Sequence, residues 1–172
     1  MEKLEKQPCP LCKQNKLTLS EEEYNIPHFG KTYLFSMTCE NCNYRKTDVE
    51  AAEQKQPCKL TITIDSEKDM NIKIIKSSNA SIKIPELRVS VESGEASDGY
   101  ISNVEGVLDR FKKIIEEQRD NSEEEDIKKK AKNLLKKFWK VKLGEMPIKI
   151  IIEDRSGNSA VISEKVKVEM LK

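Results

Sequence analysis

Histidine occurs once in these 172 residues, as His28, and glycine only 6 times. A lone histidine leaves any Ser or Cys triad dependent on one residue. It also cannot supply the two-histidine, one-carboxylate set of non-haem iron oxygenases. No glycines gather into a phosphate loop of the Walker or dinucleotide type. Aromatic residues make up 5% of the chain, and no basic–aromatic platform for stacking single-stranded bases is visible. An excess of one charge is missing too: 31 basic side chains face 30 acidic ones, which removes any global electrostatic pull toward nucleic acid or membrane. No apolar run approaches a membrane span and no apolar segment opens the chain, so a cytoplasmic protein is expected. These absences argue against an enzyme.

What is present is cysteine in pairs. Cys9-Pro-Leu-Cys12 and Cys39-Glu-Asn-Cys42 have the spacing of a tetrahedral, four-thiolate zinc site, each pair on a tight knuckle turn. A thioredoxin-like redox motif would sit at a strand-to-helix junction, and neither pair does. Four thiolates leave no open coordination position, so one Zn2+ is expected in a structural role. Cys58 is left over and reads as a small core residue.

Strand-like stretches at 16–19 and 33–37 flank a central Ile26-Pro27-His28-Phe29-Gly30, and the second runs into the second cysteine pair. A polar segment, Ala51 to Gln56, ends at Pro57 and marks a boundary. The expected division is a zinc ribbon over residues 1–56 and a β domain over 57–172. Short alternating runs at 60–64, 72–75, 80–84 and 87–91 are matched by others at 148–152, 160–162 and 166–170. Between them lies a helical hairpin, about 102–143. Ser102-x-x-Glu105 and Ser122-x-x-Glu125 read as capping boxes. One apolar stripe runs from Val104 to Ile115, and another comprises Ile127, Ala131, Leu134, Leu135, Phe138 and Trp139. Strands on both sides of the hairpin must pair at long range, which makes the second unit a single β-sandwich or β-helix-like barrel.

Five ordered motifs carry a resemblance. They are Ile26-Pro27-His28-Phe29; Ser36 to Arg45 around the second cysteine pair; Asp69-Met70-Asn71 with Lys76-Ser77 and Ala80 to Leu87; Val104-Glu105-Gly106; and Glu153 to Ser159. Together they resemble the ZPR-type zinc-finger family in the single-module form found in archaea, over roughly residues 8–165. Departures are Asn43 for a Gly, Ile72 for an Arg, Asn103 for a Thr and Arg155 for a Pro. Asn43 tolerates the left-handed backbone a knuckle needs. The resemblance implies a mainly β protein: an N-terminal zinc ribbon followed by a double-stranded β-helix domain, β-sandwich-like, bearing a helical hairpin. It further implies binding to translation elongation factor 1-alpha and help in the folding or biogenesis of that GTPase.

Candidate contact residues follow. Ile26, Pro27 and Phe29 form either an exposed apolar anchor or ribbon packing. Tyr44 and Arg45 either meet a partner or cover the metal. Asp154, Ser156, Gly157 and Asn158 form a contact loop or a structural Asx-type turn. The alternative function is nucleic-acid binding in transcription or translation through the ribbon. The lysines from Lys128 to Lys142 read instead as the solvated face of an amphipathic helix.

Overall fold

The computed structural model describes residues 2–26, 30–53, 55–94 and 97–171. Pro27, His28 and Phe29 lie outside them. Four strands, β1 (Glu2–Pro8), β2 (Asn15–Ile26), β3 (Gly30–Cys39) and β4 (Arg45–Ala51), form one antiparallel sheet in sequential order. Sequence patterning picks out only the middle two. The edge strands carry Lys and Glu with almost no apolar face, and β1 is exposed nearly throughout. Main-chain pairing holds them.

The second unit starts with β5 (Cys58–Ile64). After a short 3-10 turn, Glu67–Asn71, come β6 (Lys73–Lys76) and β7 (Ala80–Ile84). Pro85 opens another 3-10 turn, and Arg88 closes it in a left-handed conformation, so β8 begins at Val89, not at Leu87. β8 (Val89–Val91) and β9 (Tyr100–Asn103) lead into helices α1 (Val104–Asn121) and α2 (Glu125–Lys142). Then follow β10 (Ile148–Asp154), β11 (Ala160–Ile162) and β12 (Lys167–Met170). Two sheets result, ordered β12-β5-β10-β7-β8 and β11-β6-β9. β10 pairs with β5 and β7, closing the long-range connection around the hairpin.

Alternation drives the packing. Ile148, Ile150 and Ile152 of β10, with Leu60, Ile62 and Ile64 of β5, point into one core with Ile82 and Ile84. Each such side chain contributes about 2 kcal/mol when fully buried. Helix α1 adds Val104, Val107, Leu108, Phe111 and Ile115, and α2 adds Ala131, Phe138 and Val141.

Three details of the hairpin differ from expectation. Asn103, not Ser102, caps α1, its side-chain oxygen accepting from the Gly106 N–H at 2.8 Å. Helix α2 has no side-chain cap, and Ser122 instead accepts from the Glu124 N–H at 3.2 Å. Trp139 and Ile127 also leave the apolar stripe: they are 63% and 39% exposed.

The ribbon is seated on the second unit. Ile26 and Val49 pack with Ile75 and Ala160. Around this patch Thr47 N–H donates to Asp98 and Ala51 N–H to the Asn158 side chain, at 3.0 and 3.2 Å. The Gly99 N–H donates to the Thr47 carbonyl at 2.8 Å. A Cβ at Gly99 would stand 2.6 Å from an Asp48 carboxylate oxygen and 2.7 Å from the Val49 nitrogen, so only glycine permits this approach.

Candidate metal centre and exposed surfaces

Two equivalent knuckles build the metal site. In each, the first cysteine's carbonyl accepts from the N–H four residues on, Cys9 from Lys13 and Cys39 from Asn43. Lys13 and Asn43 occupy the left-handed region, with φ of 63° and 57°. Asn43 meets that demand easily. Lys13 meets it without such help, and nothing in its residue type signals it.

The register of β2 against β3 sets Leu17 opposite Cys39, which brings the second knuckle to the first. The four sulfurs of Cys9, Cys12, Cys39 and Cys42 all lie within 4.8 Å of one another. Cys9–Cys42 and Cys12–Cys39 are each separated by 3.7 Å. Zinc–sulfur bonds of about 2.3 Å in a tetrahedron place sulfurs about 3.8 Å apart, so the cluster fits Zn2+. Cys9 and Cys39 are buried. Leu17, Leu19 and Tyr44 pack around them, and Arg45 is exposed. The ribbon has little other core at this end, so the ion takes the place of one. No other such group of ligands gathers among the described residues.

The Glu153–Ser159 loop turns inward. Asp154 is completely buried and accepts four hydrogen bonds. The Ser77 and Ser159 hydroxyls donate at 2.8 and 2.6 Å, and the Ser156 N–H and hydroxyl at 2.8 and 2.6 Å. Burial works to raise its carboxyl, but these donors outweigh it and hold it below the usual range. Gly157 adopts φ +72° against the Gln56 carbonyl, where a Cβ would approach to 2.5 Å. Asp154 therefore ties together loops of the second unit, Gly157 lies against the 55–56 connection, and Asn158 bonds the ribbon. Ile26 is likewise 4% exposed and presents no anchor to a partner.

Beside this loop Lys76 is 2% exposed and donates to the Ser77 carbonyl, the Ser97 hydroxyl and the Asp98 carbonyl. Burial pushes its pKa down against the pull of Asp154, Asp48 and Asp98. Cys58 packs against the core as a half-buried residue, and burial pushes its thiol up to about 11.

Outside the joint, α2 presents Trp139 and Leu143 to solvent, with Leu135 beside them and Lys136 and Lys140 flanking. Helical periodicity assigns Trp139 to the core, because it neighbours Phe138. Only Phe138 points inward. Two lysines of α2 are paired within the chain: Lys142 with Glu105 and Asp109, and Lys128 with Glu125. No helix is long and apolar enough to cross a membrane among the described residues.

A ribbon closed by four cysteines and docked on a two-sheet jelly roll with a helical hairpin defines a zinc-finger protein of mainly β architecture. The profile of the ZPR1 zinc-finger domain matches residues 1–57, and that of the ZPR1 jelly-roll domain matches residues 68–170. A ZPR1-like protein of Methanocaldococcus jannaschii is 38% identical over 99% of this chain and 87% of its own length. One of Pyrococcus horikoshii is 37% identical over 95% of this chain and 75% of its own. The zinc finger chaperone zpr1 of Schizosaccharomyces pombe is 25% identical over 78% of this chain but only 29% of its own length. The chain belongs to the ZPR1 family.

Proposed function

We propose that this protein is a cytoplasmic, non-catalytic binding module for translation elongation factor 1-alpha that assists its folding or biogenesis. The Trp139 surface carries the reading. A tryptophan 63% exposed beside Leu143 is a costly surface to leave bare, and Trp is a favoured interface anchor. The ordered family motifs support the choice of partner, and the fission-yeast relative's name supports a chaperone role. In this mechanism zinc fixes the ribbon, the joint fixes the ribbon's orientation, and Tyr44 and Arg45 with the Trp139 surface hold the client.

The test is binding of the purified elongation factor to the zinc-loaded chain by calorimetry. Trp139→Ala should weaken it by about tenfold or more with an unchanged melting temperature. Full affinity in that variant and after zinc removal would overturn the mechanism. Retention of RNA or DNA instead, with steep loss on raising salt, would favour the nucleic-acid alternative.

A further inference from the structure

The two sheets of the jelly roll are unequal, five strands against three. Because β12 pairs Val168 with Leu60 and Met170 with Cys58, both side chains lie on the core face of the larger sheet. Nothing from the smaller sheet, which ends at β11, covers them. Val168 is 62% exposed and Met170 75%. They border a largely apolar groove of about 820 Å3, floored by Leu60 and Val161.

The main chain at this edge is open as well. Leu171 N–H donates to the Pro57 carbonyl. That bond fixes the parity of the ladder: the N–H and C=O of residues 167 and 169 face β5, and those of Val168 and Met170 face away from it. Among the described residues no strand lies on that side.

We propose that β12 pairs with β12 of a second copy of this chain, antiparallel about a twofold axis at Val168, to make one continuous ten-stranded sheet. The register is chosen by the sequence itself. With Val168 opposite Val168, the two residues exchange both outward main-chain bonds, and the Met170 N–H reaches the Val166 carbonyl of the second copy. Lys167 then faces Glu169 of the second copy, and Glu169 faces its Lys167. The exposed apolar side chains meet only apolar ones, Val168 on Val168 and Met170 on Val166. Pairing Val168 with Met170 of the second copy would also satisfy the free main-chain groups, but it sets Glu169 against Glu169; the register centred on Val168 is self-complementary in both charge and hydrophobicity. This association is independent of elongation-factor binding.

The experiment is sedimentation equilibrium of the full zinc-loaded chain. So short a strand exchange predicts a dissociation constant on the order of 10–100 µM. Val168→Pro removes an N–H that β5 does not use, so the fold should survive, with circular dichroism and zinc content as controls. It should weaken self-association by about 100-fold. Lys167→Glu and Glu169→Lys should each weaken it by about tenfold, because twofold symmetry counts every like-charge contact twice. Mixing these two variants should restore association as a heterodimer. A wild type that stays monomeric at about 1 mM, or a dimer undiminished in Val168→Pro, overturns the proposal. So does a mixture of the charge variants that associates no better than its components.

Discussion

The Asp48 carboxylate of ribbon strand β4 accepts the backbone N–H of Ser78, between β6 and β7, at 2.9 Å, and the Ser78 hydroxyl as well. One ribbon side chain thereby closes a jelly-roll turn. Asp48→Ala leaves that N–H without its acceptor, and should cost about 1–3 kcal/mol. Hydrogen exchange checks it: protection should fall in β4 and around Ser78 and remain in β10. Loss confined to the ribbon would argue that the contact does not couple the units.

Zinc is expected to be required by one unit and dispensable to the other. Structural zinc sites of this kind contribute on the order of 10 kcal/mol. Cys39→Ser, or a strong chelator, should unfold the ribbon and abolish partner binding. The jelly roll, whose core of β5, β7, β10 and the hairpin contains no zinc ligand, should keep its near-ultraviolet signal from Trp139 and Tyr100, while that of the ribbon's Tyr24, Tyr33 and Tyr44 is lost. Zinc analysis of the intact chain should give one ion per molecule.

Asp154→Ala should be among the most damaging single changes outside the metal site. It removes one acceptor from four donors, three hydroxyls and an N–H, in a site closed to solvent. It also strips a neighbouring carboxylate from buried Lys76. A loss of about 3–5 kcal/mol is expected in urea unfolding. Asp154→Asn, which keeps the shape and part of the acceptor capacity, should cost less.

Acid should act through Asp69. Burial alone would raise its carboxyl, but Lys165 at 2.9 Å and the N–H groups of Asp65 and Ser66 hold it at about 2. The folded value lies below the unfolded one of about 3.9, so the stabilisation is complete above that pH and fades as pH falls toward 2. Lys165→Met should therefore destabilise the protein modestly at pH 7, Lys165 being largely solvated. The difference from wild type should shrink steadily below about pH 4. A gap independent of pH would assign the effect to lost packing.

How much of the fold is visible in the chain varies with the physics of each part. The cysteine spacing and the alternating isoleucines of β5, β7 and β10 announce themselves, because metal geometry and a two-residue period are local properties. β1 and β4 do not, since their partners are main-chain groups and their side chains carry no alternation. Asn103 displaces Ser102 as the cap by a single residue, a shift that no spacing rule resolves. Trp139 is one helical step from Phe138, and only the packed structure says which of the two faces the core. The Asp154 loop reads as a turn by composition, and its polar residues suit a contact loop and a structural Asx-type turn alike. One of its donors is Ser77, far away in sequence, so its burial leaves no local trace.

The seat of the ribbon has an evolutionary consequence. The joint is read through the ribbon's peptide groups at Thr47 and Ala51 and through a few inward side chains, Ile26, Asp48 and Val49, not through the identity of its outward side chains. The outer face of the ribbon is thereby released to drift. A ribbon from one relative could be transplanted onto the jelly roll of another and still dock in the same pose, while offering a different surface to its client.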